Sequence, residues 1–218
     1  MAIRKTRFVQ QEYYHIYNRG NSKQSIFLDT EDYKRFVKCL YVCNSKKSFN
    51  FRDDITIQNI NAFDFNREET LVSIGAWVLM PNHFHIYITP KSDLGKKNAL
   101  SEFMRKISTS YTKYFNAKYK RTGSLFEGTF KAVHITQDTQ AKYLFSYIHL
   151  NPIKLIDPAW KSTGTKNIEK VRTFLATYSW SSYQDYIGTV RTENKIITPN
   201  HFPLYFQTIQ DFDTEIVS

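Results

Sequence analysis

Cysteine is scarce in this chain, which has only Cys39 and Cys43 among its 218 residues. Two cysteines cannot build a framework of disulfides, and this excludes the small secreted folds that depend on one. The pair lies one helical turn apart, and no other Cys or His stands near it at the spacing of a zinc site. We therefore expect both thiols to be packing residues in a reducing compartment.

Long apolar runs are also lacking. No stretch approaches the roughly 18 uninterrupted apolar residues that a membrane span needs. Residues 1–7 are basic, but no apolar segment of the secretory type follows them. We therefore expect a soluble, cytoplasmic protein. A content of 41% hydrophobic and 16% aromatic residues is enough for one packed globular domain.

Acidic residues are outnumbered, since 20 Asp and Glu face 30 Lys and Arg and leave a net charge of +10. Residues 96–131 alone carry nine basic residues against two acids, with seven aromatic residues interleaved. Such a surface neutralises phosphates and stacks unpaired bases, so nucleic acid is favoured over an anionic membrane as the partner. Most of these aromatic residues are equally compatible with a place in the core.

Hydrophobic periodicity predicts strands at 13–18, 71–80, 83–89 and 130–136, and helices at 30–43, 98–120 and 138–151. Thr30 is the expected N-cap of the first helix. In the second strand, Val72, Ile74, Ala76 and Val78 are expected on one face. The polar segment 44–70 has an alternating piece around Ile55 and Ile57 that is compatible with an accessory hairpin.

The order β-α-β-β-α-β-α is typical of the α+β class, with a ferredoxin-like antiparallel sheet backed by helices. We expect residues 1–152 to form this core and residues 153–218 to form a helical C-terminal extension packed on it.

The third strand carries two histidines that are two positions apart, so both side chains are expected on the same face. Since side chains alternate along a strand, Phe84 and Ile86 point to the core while His83 and His85 point to the opposite face. Two neutral imidazoles on one face can bind the same divalent ion. This spacing alone is a weak signal, because two exposed histidines without a role are more common.

The last predicted core helix places Tyr147 and Asn151 four residues apart on one flank. A tyrosine needs help to act as a nucleophile, because its phenol has a pKa of about 10. A metal ion held by His83, His85 and Asn151 would supply that help by drawing charge from a phosphodiester. Helix geometry alone favours a simpler interpretation, with a packing tyrosine and a helix-ending asparagine.

Five segments together resemble the successive signatures of the REP-associated tyrosine transposases, a branch of the single-tyrosine HUH transposases of insertion-sequence type. They are residues 14–21 (Tyr-His-Ile-Tyr-Asn-Arg-Gly-Asn), 80–85 (Met-Pro-Asn-His-Phe-His), 123–128 (Gly-Ser-Leu-Phe-Glu-Gly), 147–152 (Tyr-Ile-His-Leu-Asn-Pro) and 180–183 (Trp-Ser-Ser-Tyr). The segments follow family order and extend from about residue 13 to residue 186.

The resemblance implies an HUH endonuclease domain that cleaves single-stranded DNA beside a hairpin and keeps the 5′ end as a phosphotyrosine. It implies that Tyr147 is the nucleophile and that His83, His85 and Asn151 hold Mg²⁺ or Mn²⁺. The insertion-sequence branch generally has glutamine where this chain has Asn151. Asparagine carries the same amide group on a shorter side chain. We expect cytoplasmic localisation, with association to the nucleoid when DNA is bound.

Several alternatives stay open. Tyr143 is a rival nucleophile one turn before Tyr147, while His15 and His134 lie on other predicted strands and are favoured as core or surface histidines. Two other functions compete with the transposase: a catalytically inactive hairpin-binding protein of the same fold, and a replication-initiating endonuclease of the same superfamily. The sequence leaves monomer and homodimer equally open. The predicted DNA contacts are Arg19, Lys96, Lys97, Arg105, Lys106, Lys113, Lys120, Arg121 and Lys131.

Overall fold

The computed structural model describes residues 7–91, 98–164 and 167–205. Its strands are β1 (Tyr13–Arg19), β2 (Val72–Met80), β3 (His83–Pro90) and β4 (Lys131–Ile135). They form an antiparallel sheet in the order β2-β3-β1-β4. The predicted α+β class, with a ferredoxin-like antiparallel sheet backed by helices, is confirmed.

Helices cover both faces of the sheet. They are α1 (Thr30–Val42), α2 (Ala99–Lys118), α3 (Asp138–Leu150), α4 (Trp160–Thr163), α5 (Ile168–Thr177) and α6 (Tyr183–Tyr186). Apolar residues of α1 and α2 bury the first face, and those of α3, α5 and α6 bury the second. No helix in the described part of the chain combines the length and the apolar character that crossing a bilayer requires.

The hairpin of β2 and β3 turns at Pro81 and Asn82, as predicted. In β3, Phe84 and Ile86 are buried in the core of the first face. Because side chains alternate along a strand, His83 and every second residue after it point to the second face, toward α3.

A β-bulge interrupts the alternation of β2. Its pairing with β3 shifts between Ile74 and Ala76, which inserts one extra residue at Gly75. Ile74 therefore packs in the core of the first face and Ala76 in that of the second. The predicted common face for the even-numbered residues 72–78 is wrong for this reason. A Cβ at Gly75 would lie 2.9 Å from ring carbons of Phe202, so a larger residue there would force the Phe202 ring to move.

Two local predictions before β2 are also corrected. The N-cap of α1 is Asp29 rather than Thr30, because its carboxylate accepts from the backbone of Glu31 and Asp32, and Asp32 bonds back to Asp29. The segment predicted as an accessory hairpin forms one turn of π-helix at Arg52–Thr56. Cys39 and Cys43 are buried and free, as expected of packing residues.

Residues after α5 run along the outer edge of β2. Backbone hydrogen bonds join Leu79 N to the Trp180 carbonyl and Ser182 N to the Trp77 carbonyl, each at 2.9 Å. The Trp180 ring stacks on Tyr33 of α1, with ring centroids 4.9 Å apart. This segment therefore covers an edge strand that would otherwise expose unpaired backbone groups.

A buried hydrogen bond ties α3 to the same segment. His149 Nε2 lies 2.8 Å from Ser182 Oγ, which also accepts from the Trp77 backbone amide at 2.9 Å. Burial lowers the pKa of His149 to about 3, so its ring is neutral at ordinary pH. The helix that carries Tyr147 is thus fixed against the edge of the sheet by a polar contact as well as by its apolar residues.

Replacing Ser182 with alanine is expected to lower the free energy of unfolding by about 1–3 kcal/mol, because the Trp77 amide loses its acceptor in a buried site. Urea denaturation followed by circular dichroism measures the change. Ser162→Ala, at an exposed position of α4, is the control and should change stability by less than about 0.5 kcal/mol. Equal stability of the two variants would contradict this role for Ser182.

Candidate active site

The two histidines of β3 lie together on the second face of the sheet. Their ring centroids are 5.0 Å apart, and the ring planes are nearly perpendicular at 84°. His85 is only 7% exposed, and His83 is half-buried at the start of the strand. The side-chain alternation predicted from the sequence therefore brings the two imidazoles together on one face of the sheet.

Neighbouring side chains fix the rings. His83 Nδ1 lies 2.6 Å from Asn82 Oδ1, an oxygen that can only accept. His83 therefore carries its proton on Nδ1 and leaves a lone pair on Nε2. His85 Nδ1 lies 2.8 Å from Nε2 of His15 on β1. His15 thus borders the site, which is the less favoured of the two sequence interpretations.

The rings of His83 and His15 are neutral at ordinary pH. Burial, together with the positive charge of Lys154, lowers the pKa of His83 to about 4, while the Asn151 side chain acts in the opposite direction. Burial lowers the pKa of His15 to about 4 as well. Neutral imidazoles are the form that binds a metal ion.

Helix α3 brings Tyr147 beside these rings. The centroid of its ring lies 5.2 Å from that of His85 and 6.3 Å from that of His15. Leu144 and Ile148, on the buried side of the same helix, pack in the core of the second face. The apolar stripe predicted from sequence is therefore what turns the phenol toward β3.

The rival tyrosine occupies a different environment. Tyr143 is 68% exposed, and its ring stacks on that of Tyr147 at a centroid distance of 6.2 Å. Tyr147 lines the cleft in front of the histidines, and Tyr143 does not. The structure thus brings Tyr147, rather than Tyr143, together with His85.

Asn151 ends α3 and begins a short 3₁₀ turn, Asn151–Leu155. Its side chain is completely buried, and neither amide atom has a hydrogen-bond partner of normal geometry among the described residues, although the amide lies close enough to influence His83. Leaving a buried amide unsatisfied costs about 1–3 kcal/mol. A cation coordinated by its oxygen would satisfy that atom and so reduce the cost.

The donor set combines two imidazole nitrogens, which first-row transition ions bind readily, with one amide oxygen, a donor that suits Mg²⁺ and Mn²⁺. The described residues contain no group of three His, Cys, Asp or Glu side chains arranged around a metal. A site here therefore depends on the amide of Asn151 and on groups from outside the described residues, such as water or a phosphate oxygen.

Sequence reasoning did not single out Lys154. Its Nζ lies 5.6 Å from the centroid of the Tyr147 ring, and its charge also reaches His83. The lysine therefore places a cation beside the candidate nucleophile and a candidate ligand. In the sequence, the position of Lys154 three residues after Asn151 was the one signal that could have pointed to it. The direction in which the 3₁₀ turn carries its side chain toward Tyr147 depends on the tertiary structure.

A cleft of about 630 Å³ opens in front of His83, His85 and Tyr147, whereas Asn151 and Lys154 do not line it. Its wall includes three cations, Arg19, Lys23 and Lys131, against one acid, Glu127. Arg19 and Glu127 form an ion pair at the rim. Because the cations outnumber the acid, the cleft suits an anionic ligand.

A second groove, of about 880 Å³, lies between α2 and the segment that leads into β4. It contains the basic residues Arg105 and Lys113 together with Phe126 and Phe130. The intervening segment lines both cavities, since Glu127 and Lys131 face the first cleft. The two cavities are therefore neighbours across one short stretch of chain.

The predicted DNA contacts do not share one surface. Arg19 and Lys131 line the first cleft, and Arg105 and Lys113 line the second groove. The remaining described members line neither cavity: Lys106, Lys120 and Arg121. Lys96 and Lys97 lie outside the described residues. His134 is exposed, its Nε2 lies 2.8 Å from a carboxylate oxygen of Glu12, and it does not line the cleft, as expected of a surface histidine.

The family model described as "Transposase IS200 like" matches residues 31–151, more than half of the chain. Among solved structures, a REP-associated tyrosine transposase bound to a REP hairpin is similar with a TM-score of 0.52 at 16% identity, over 88% of this chain and 90% of that chain. A bacterial tRNA(His) guanylyltransferase-like protein in complex with ATP has a TM-score of 0.40 at 13% identity, over 79% of this chain and 74% of that chain. No curated protein sequence matches this chain. The likeness to the REP-associated transposase shows a shared fold.

Replacing Lys154 with methionine is expected to raise the pKa of His83, because the neighbouring positive charge that disfavours its protonation is removed. The shift is measured by NMR titration of the histidine ring protons. Lys170→Met, on the exposed surface of α5, is the matched control and should leave the titration unchanged. Identical His83 titrations in both variants would contradict the electrostatic contact.

Proposed function

The chain belongs to the IS200-like transposase family, and on this premise we propose that it is a metal-dependent endonuclease and strand-transferase acting on single-stranded DNA beside a hairpin. The proposal rests chiefly on the Tyr147 ring, whose centroid lies 5.2 Å from that of His85 in a cleft rich in cations. The hairpin in the substrate is suggested by the relative of shared fold, whose structure contains a REP hairpin.

The proposed nucleophile is the phenol oxygen of Tyr147. It gives up its proton to water and attacks the phosphorus of a backbone phosphodiester. The bond to the 3′ oxygen breaks, and that oxygen leaves as a free 3′-hydroxyl after taking a proton from water. The 5′ end stays on the protein as a phosphotyrosine until a 3′-hydroxyl attacks the same phosphorus and releases Tyr147.

His83 and His85, through Nε2, and Asn151, through its amide oxygen, are the residues that would hold Mg²⁺ or Mn²⁺. When bound there, such an ion would polarise the phosphodiester and so assist attack by a phenol, which is a weak nucleophile on its own. The lowered pKa of His83, which keeps its ring neutral, and the buried, unsatisfied amide of Asn151 support this assignment.

The strand is held by the cations of the first cleft, Arg19, Lys23 and Lys131, which neutralise phosphates on either side of the reacting one. Arg105 and Lys113 extend the positive surface into the second groove, where Phe126 and Phe130 are also present. We assign residues 1–152 to the catalytic core and residues 153–218 to an extension that positions α3.

The formation of a covalent adduct tests the nucleophile. Wild-type protein with Mg²⁺ or Mn²⁺ is expected to cleave a hairpin-bearing single strand labelled at its 3′ end and to retain the label on a denaturing gel. Tyr147→Phe should abolish the adduct, because the attacking oxygen is missing, whereas Tyr143→Phe should retain it. An adduct in the Tyr147→Phe protein would refute the assignment, and tight binding by the wild type without any adduct would favour the inactive hairpin-binding alternative.

The position of the strand is tested by salt dependence. Lys131→Ala is expected to weaken binding of single-stranded DNA and to reduce the slope of log K against log[salt] by about 0.7, the value for one phosphate contact on a single strand. Lys106→Ala is the control, because its ammonium already donates to the backbone carbonyls of Ser45 and Lys47. Fluorescence anisotropy at several NaCl concentrations measures both, and equal slopes for the two variants would contradict this placement of the strand.

A further inference from the structure

His15 lies directly behind the candidate metal ligands. Strand β1 pairs with β3 so that His15 stands opposite Tyr87, and Tyr17 stands opposite His85. His15 and His85 are therefore diagonal neighbours on the same face, with ring centroids 5.0 Å apart and planes inclined by 28°. Their closest ring nitrogens, His15 Nε2 and His85 Nδ1, are 2.8 Å apart.

A hydrogen bond between two neutral imidazoles has a direction, because one nitrogen must carry the proton and the other the lone pair. If His15 Nε2 were the donor, His85 Nδ1 would accept, and the proton of the neutral His85 ring would sit on Nε2. That nitrogen then has no lone pair for a metal ion. If His85 Nδ1 is the donor, Nε2 of His85 keeps its lone pair and is available as a ligand.

We propose that His15 is a positioning residue for the metal site, whose Nε2 accepts the proton of His85 Nδ1 and so sets both the tautomer and the orientation of the His85 ring. The inference rests on the proposed function, since it assigns His85 Nε2 to the metal. His15 is not itself a ligand through Nε2, because that nitrogen already bonds His85.

The other candidate ligand shows the same arrangement. His83 Nδ1 has the amide oxygen of Asn82 at 2.6 Å, an obligate acceptor that leaves Nε2 of His83 with its lone pair. Each imidazole is thus held at Nδ1 by a neighbour, Asn82 in one case and His15 in the other. Outer contacts of this kind orient a ligand and raise its basicity, and their loss typically weakens metal binding by about 10- to 100-fold.

Mn²⁺ binding, followed by electron paramagnetic resonance without DNA, tests the proposal independently of cleavage. His15→Ala is expected to weaken Mn²⁺ binding by about 10- to 100-fold. His15→Gln is expected to recover most of the affinity, because its amide oxygen can accept from His85 Nδ1. His134→Ala is the matched control on the neighbouring strand β4, and its affinity should equal that of the wild type.

Wild-type affinity in His15→Ala would overturn the proposal, and so would a His15→Gln protein as weak as His15→Ala. Circular dichroism at the same temperature checks that the variants are folded. The wild type offers a second measurement that needs no substitution: long-range ¹H–¹⁵N NMR of the metal-free protein should show His85 protonated on Nδ1. A proton on Nε2 of His85 would overturn the proposal.

His83→Ala separates this inference from the proposed function. If the wild type binds Mn²⁺ and His83→Ala does not, the metal site stands, and the His15 variants decide the positioning role alone. If the wild type binds no Mn²⁺, the metal-dependent function fails and the inference fails with it.

Discussion

The alternation of side chains along β3 is the constraint on which the site depends. Phe84 and Ile86 fill the core between the sheet and helices α1 and α2, and this obliges His83 and His85 to face α3. The tight turn at Pro81 and Asn82 fixes the register of the strand, so a slip by one residue would bury the imidazoles among apolar groups. The hydrophobic effect that assembles the first face therefore also determines where the polar chemistry of the second face lies.

The second requirement is that α3 packs on that face at the position that brings Tyr147 beside His85. Apolar residues of the helix hold it against the sheet, but apolar contacts alone allow a helix to shift along the sheet more readily than a hydrogen bond does. The contact between His149 and Ser182, with Ser182 also bonded to the backbone of Trp77, fixes the helix relative to β2. It also gives a physical reason for two separate segments, 147–152 and 180–183, to occur in one chain: the second positions the helix that carries Tyr147.

Much of this arrangement follows from sequence because it depends on local periodicity. The parity of β3 and the apolar stripe of α3 are enough to place His85 and Tyr147 on facing surfaces. Features set by neighbours distant in the chain were not predictable in this way. The bulge at Gly75 reverses the faces of β2, and the bond from His15 to His85 requires the knowledge that β1 and β3 are adjacent in the sheet. The contact of Lys154 with Tyr147 depends on the direction of a 3₁₀ turn.

The cover along β2 has a consequence for assembly. Trp180 and Ser182 occupy the backbone groups on the outer side of this strand, so the sheet cannot be lengthened there by a strand from another molecule. Among the described residues the opposite border is β4, where Val133 is 46% exposed and Lys131 faces the cationic cleft. Any intermolecular strand addition is thus confined to the side of the molecule that borders the cleft, where it would compete for space with the DNA strand proposed to bind there.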